Sequence, residues 1–116
     1  MSKRDLAPRL RHMLEHAREA VALARGKRRE DLDSDRLLNL ALVRLVEIVG
    51  EAAARVPKES WPAHPQIPWA QIVSLRNRLI HGYDAVDFDI LWQIATRDLP
   101  ELISSLETIL SSGGKR

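Results

Sequence analysis

Apolar residues recur at steps of three and four along most of the chain, and strand-like alternation is absent. That period marks amphipathic helices, because 3.6 residues per turn bring positions i, i+3, i+4 and i+7 onto one face. Leu6, Leu10, Met13, Leu14, Ala17, Val21 and Ala24 form a first stripe, with Gly26 as its C-cap. Leu38, Ala41, Leu42, Leu45, Val46, Val49, Ala52, Ala53 and Val56 form a second, wide enough to touch more than one neighbour and so placed at the centre. Four of the six prolines then fall in VPKESWPAHPQIPW, a stiff connection in which Trp61 and Trp69 are expected to seal one end of the fold.

The third helix is predicted from about Pro68 to Ile80, with Ile72, Leu75, Leu79 and Ile80 buried and Gly82 ending it. Asp87 reads as the N-cap of a fourth helix and Asp89 as a first-turn carboxylate facing the helix dipole. That helix continues through Ile90, Leu91, Ile94, Leu99, Leu102, Ile103, Leu106 and Ile109, and Pro100 should kink or split it. Short connections favour an all-α, antiparallel four-helix bundle forming one domain over residues 1–110, with 111–116 as a flexible tail.

Composition narrows the partners more than the chemistry. With 116 residues and 45% apolar content, one core is expected. A net charge of +2 among 29% charged residues allows polyanion binding without demanding it. There is no cysteine, so disulfides and thiolate metal sites are excluded. No apolar run is long enough to span a membrane and the amino terminus is charged, so the cytoplasm is the expected compartment.

One stretch concentrates reactive side chains. RNRLIHGY, from Arg76 to Tyr83, holds arginines, an asparagine, a histidine and the chain's one tyrosine where an amphipathic run stops. Metal-independent RNA cleavage needs a base for the 2′-hydroxyl, a cation for the phosphorane and an acid for the leaving 5′-oxygen. Histidine can be either proton carrier, and arginine matches phosphate with a planar, permanently charged fork. On an ideal helix Arg76 and His81 stand about 140° apart, whereas Asn77 and His81 are nearly eclipsed. Asn77 could therefore orient His81 or the phosphate. One copy makes a loose site; a two-fold axis past the end of the third helix would bring two sets into one cleft. In an up-down bundle the basic run Arg25, Lys27, Arg28 and Arg29 shares that rim, and with Arg78 it offers a surface for RNA phosphates.

Each feature has a plainer reading. Arg11 and His16 repeat the Arg76 to His81 spacing inside a continuous helical pattern, where solvated surface explains them. Arg76 and His81 alone would also suit a salt-bridged helix end, and Tyr83 an amphipathic anchor. His12 and His16 have chelating spacing without a third ligand, His64 reads as solvated, and Asp84, Asp87 and Asp89 serve better as caps than as metal carboxylates. Glu47 and Glu51 read as solvated; Glu51, if buried, could orient a motif arginine. No metal or cofactor is implied.

The segments ALVRLVEIVGEAAARV and IPWAQIVSLRNRLIHGYDAVDFDILWQIATRDLPELISSL resemble the HepT-like branch of the HEPN superfamily, and the likeness runs from Leu10 to about Leu110. The family signature is arginine, four residues, histidine, one residue, tyrosine; Arg76, His81 and Tyr83 match it. The resemblance implies an all-helical homodimer acting as a metal-independent ribonuclease toxin. It further implies a minimal nucleotidyltransferase antitoxin that silences the toxin by adenylylating Tyr83, in a complex that could be of higher order. The competing expectation is a non-catalytic bundle that binds nucleotide or substrate for a separate nucleotidyltransferase, with Arg76 holding a phosphate and His81 structural.

Overall fold

The computed structural model describes residues 3–81 and 85–113, with side chains for residues 6–80 and 85–112. Helix α1 (Lys3–Ala24) buries its leucine and alanine stripe and is closed by Gly26, whose φ of 77° is the left-handed conformation a side chain would oppose. A single-turn helix α2 (Asp31–Ser34) follows; its entry is tied by the Arg28 amide donating to the Asp31 carboxylate at 2.7 Å. It buries Leu32, whose carbonyl accepts from the buried Asn39 amide at 2.9 Å. Helix α3 (Arg36–Ala54) starts at Asp35, whose side chain accepts from the Leu38 N–H at 3.0 Å. Its predicted stripe is buried except for Ala41, which is half-buried at the stripe's edge.

The proline-rich connection forms a 3₁₀ turn, Lys58–Ala63. Trp61 and Trp69 stack with ring centroids 5.9 Å apart and 7° between planes. Their indole N–H groups donate to the carbonyls of Val56 and His64, so neither buried dipole is wasted. His64 is half-buried there rather than solvated.

The third predicted helix is two short ones, α4 (Trp69–Val73) and α5 (Leu75–Leu79), broken at Ser74. β-Branched Val73 and the weak helix former Ser74 make this the cheap place to interrupt the ladder. The break coincides with close packing on α3, since a Cβ on Gly50 would lie 3.1 Å from the Ile72 carbonyl. Helix α5 then stops at Leu79, before the expected Gly82. Ile80–His81 are extended and form strand β1, paired antiparallel with β2 (Ala85–Val86) in the register Ile80 to Val86 and His81 to Ala85. The Asp87 N–H donates to the Leu79 carbonyl at 2.8 Å, so the ribbon satisfies backbone groups that a longer helix would have used. Local pairing thus overrode helical periodicity, and the ideal-helix angle between Arg76 and His81 does not apply.

Helix α6 (Phe88–Gln93) is capped as expected, Asp87 accepting from the Ile90 N–H at 3.1 Å. It runs through a π-helical turn, Ile94–Asp98, into α7 (Leu99–Gly113). The disturbance expected at Pro100 takes this form: the Leu99 N–H reaches back to the Ile94 carbonyl, widening the turn just before a residue that has no N–H to give. Helix α7 continues to Gly113, past the expected boundary at residue 110. The long helices pack against one another, α1 against both α3 and α7, and α3 also against α4 and α5. The chain is all-α apart from the small ribbon. Among the described residues no helix is long and apolar enough to cross a membrane.

Candidate active site

Gly50 and Glu47 explain how Arg76 is placed. The missing side chain at Gly50 lets the α4–α5 junction sit directly on α3, and one turn earlier on the same helix Glu47 faces the start of α5. The Arg76 Nε donates to Glu47 Oε2 at 3.1 Å. Glu47 is largely shielded, at 19% side-chain exposure, whereas Arg76 is 67% exposed. A carboxylate anchored on the scaffold therefore holds an arginine whose outer edge faces solvent. The terminal guanidinium nitrogens of Arg76 have no partner among the described residues, so they remain able to meet a phosphate end-on.

The network continues outward. Arg44 lies 3.8 Å from Glu47 and 3.1 Å from Glu51, giving the alternating series Arg76, Glu47, Arg44, Glu51 from α5 onto α3. Glu51 is exposed and paired with Arg44, so the condition for it to orient Arg76 is not met; Glu47 occupies that place. The signal for Glu47 was Gly50, since a glycine on a helix face marks where another backbone approaches closely.

Asn77 is exposed beside Arg76 on α5. Arg78 is about 200° around the helix from Arg76. It pairs with Asp98 at 3.0 Å on the wall of a cleft of about 280 Å³ that also includes Gln66, Gln71 and Glu101. Arg78 therefore braces α5 against the π turn and does not join Arg76. The backbone of His81 belongs to β1, two residues beyond α5. The side chain of His81, and Gly82, Tyr83 and Asp84, lie outside the described residues.

The basic run after α1 separates into members with different duties. Arg29 donates to Asp89 at 2.5 Å and to Asp33 at 3.0 Å, and these bonds, Asp89 first, raise its pKa above the ordinary guanidinium value. Arg29 thus ties the loop to the start of α6 and is withdrawn from the surface offered to phosphates. The same bond places that loop beside the helix that follows the ribbon, as the shared rim required. Arg25 and Lys27 are exposed with no ion pair among the described residues, and Arg28 is only 4.0 Å from Glu30. On α1, the His16 ring nitrogen Nδ1 is bonded to the His12 carbonyl at 2.8 Å, which removes one chelating atom. Among the described residues no group of three metal-ligating side chains gathers.

Residues 13–109 match the family model described as Ribonuclease HepT-like. The chain belongs to the HepT-like ribonuclease family. A protein of Caldanaerobacter subterraneus subsp. tengcongensis named "Putative RNase TTE0752" is 36% identical over 103 residues, covering 89% of this chain and 92% of its own. One of Thermococcus cleftensis named "Probable ribonuclease HepT" is 35% identical over 100 residues, covering 83% and 91%. One of Methanocaldococcus jannaschii named "Putative RNase MJ1380" is 31% identical over 109 residues, covering 94% and 100%. No solved structure gives a significant match. Within this HepT-like chain, the family likeness covers α3, which supplies Glu47 and Gly50, and α5, which supplies Arg76.

Proposed function

We propose that this chain is an endoribonuclease that cleaves RNA without a metal ion, with Arg76 as the phosphate-binding cation and His81 as general acid or base. The observation that carries this reading is the Glu47–Arg76 pair: a shielded carboxylate orients an exposed arginine, and the chain leaves α5 after Leu79 and reaches His81 two residues on. Such an arginine is preorganised for charge that builds on a phosphorane. Asn77, exposed next to Arg76, would orient the phosphate or His81. Arg25, Lys27 and Arg28 supply an electrostatic approach for the RNA backbone.

One copy of His81 does not readily serve as both acid and base in a single turnover. The antiparallel four-helix bundle therefore works as a two-fold homodimer in which two copies of Arg76 and His81 line one cleft. In the cytoplasm this enzyme acts as the toxin of a pair. A minimal nucleotidyltransferase antitoxin transfers an adenylyl group to Tyr83, and the added phosphate and bulk fill the site that RNA must enter. Support for these roles comes from the arginine, histidine and tyrosine spacing and from family membership.

The test is RNA cleavage by purified protein in the presence of a chelator, with the Arg76→Ala and His81→Ala proteins alongside. Cleavage by wild type and its loss in both variants is the expected result. RNA left whole by wild type would overturn the catalytic reading and favour a binding subunit.

A further inference from the structure

We propose that the cleft between α4, α5 and α7 receives one unpaired guanine of an RNA strand, with Glu101 as the residue that selects it. The cleft holds about 280 Å³, near the lower end of the range for small-molecule sites and room for a single base. Pro68, Ile72 and Leu102 give it apolar walls, and Gln66, Gln71, Arg78, Asp98 and Glu101 supply polar groups. Apolar walls with a few converging polar groups suit a flat ligand that has hydrogen-bonding edges. Part of the polar set is already committed. Arg78 and Asp98 pair at 3.0 Å, which joins α5 to the last residue of the π-helical turn. The side chains of Gln66, Gln71 and Glu101 have no hydrogen bond or ion pair among the described residues, so they are free to meet a ligand.

Charge says which part of a nucleotide enters. Two carboxylates and one guanidinium line the cleft, so it disfavours a phosphate and accepts a neutral group with donors of its own. Guanine alone among the RNA bases has two adjacent N–H donors on its Watson–Crick edge, N1–H and N2–H, and these match the two oxygens of the Glu101 carboxylate. Adenine and cytosine set a ring-nitrogen lone pair beside their amino group, and uracil flanks its N–H with two carbonyls. Each of those edges turns a lone pair toward the carboxylate. Unpaired bases are read on this edge, and a guanine bound so leaves O6 to accept from Gln71 or Arg78. The shape of α5 connects the cleft to Arg76. Leu75 and Leu79 are buried, exposed Asn77 stands opposite them, and Arg76 and Arg78 lie about 100° to either side of Asn77. A strand crossing α5 at Asn77 therefore has Arg76 for a phosphate on one flank and the cleft for a base on the other. The choice of base is read from the cleft itself; that the base belongs to an RNA strand rests on the ribonuclease reading above.

Fluorescence anisotropy in chelator tests this on the His81→Ala protein, which keeps the RNA whole, with and without a second change. The probes are a labelled oligouridylate, the same strand with one central guanosine, and the same strand with inosine there. The guanosine strand should bind about tenfold more tightly than the uridine strand, and inosine, which lacks the 2-amino group, should lose most of that gain. Glu101→Gln should bring the guanosine-to-uridine ratio close to one, and taking the ratio cancels the general effect of removing a negative charge. Glu107→Gln makes the same change on the same helix outside the cleft and should leave the ratio as it was, with circular dichroism confirming that both variants are folded. Equal binding of all three strands, or a guanosine preference that survives Glu101→Gln, would overturn the proposal. Guanosine monophosphate binding as tightly as the guanosine strand would make the free nucleotide the ligand and overturn the path across α5. RNA cleavage by wild type separates the two readings. A guanosine preference with RNA left whole by wild type keeps the base site and removes the ribonuclease, and cleavage without any preference removes the base site and keeps the ribonuclease.

Discussion

Glu47 and Arg76 are joined by a hydrogen bond of 3.1 Å between residues 29 positions apart, and this bond makes α3 the reference frame for the candidate active site. Glu51, one turn further along, serves Arg44 instead. Substitution separates the two carboxylates. Glu47→Gln should lower RNA cleavage by about tenfold through a misdirected Arg76, a loss of the size expected for a hydrogen bond to a charged group. Glu51→Gln removes one half of an exposed pair and should change the rate by less than about twofold. Equal losses in the two variants would contradict a positioning role for Glu47.

Removing the chemistry itself should cost more. Arg76→Ala or His81→Ala is expected to reduce cleavage by about 10²- to 10⁴-fold without changing helicity. If the proposed homodimer forms, mixing the two inactive proteins should give dimers with one defect on each side. Partial recovery of activity in the mixture would show that one cleft draws on both chains, and a fully active monomer would refute the shared cleft.

Gly50 sets the separation between α3 and the α4–α5 junction, since an added Cβ would stand 3.1 Å from the Ile72 carbonyl. Gly50→Val should therefore destabilise the fold by about 1–3 kcal/mol, read as a lower urea midpoint. It should also reduce cleavage in the surviving folded protein, because the displacement reaches Arg76. Unchanged stability would mean that the junction shifts without strain.

Tyr83→Phe should leave cleavage largely intact and make the protein insensitive to a cognate nucleotidyltransferase supplied with ATP and magnesium. Intact mass and RNA cleavage, measured before and after incubation, check both halves. A mass gain at another residue, or equal silencing of wild type and variant, would exclude Tyr83 as the switch.

The helical scaffold was legible because burial imposes a period, and nearly all the predicted stripe positions are buried. Single-residue signals were equally direct where one residue type does one job, as at Gly26, Asp87 and the Trp61–Trp69 pair. The third helix misled because Ile72 and Leu75 keep helical spacing across the break at Ser74, and Leu79 is followed at once by Ile80, which the ribbon takes out of the helix. The ribbon has only two residues on each side, too few to display an alternation of its own. Ion-pair choice was not legible either. Arg29, Arg76 and Arg78 look alike in a basic sequence, and only the fold gives them Asp89, Glu47 and Asp98 as partners.

The brevity of α5 has a consequence for motion. Five residues close little more than one turn of backbone hydrogen bonds, fewer than a helix needs to persist alone. What holds α5 in place is its buried leucines together with the ion pairs on its two flanks. Its opening therefore requires only local loss of those contacts, while α1 and α3 remain folded. Amide hydrogen exchange should be faster across residues 75–79 than across the middle of α3, so the arginine at the centre of the candidate chemistry rides on one of the first segments to come loose.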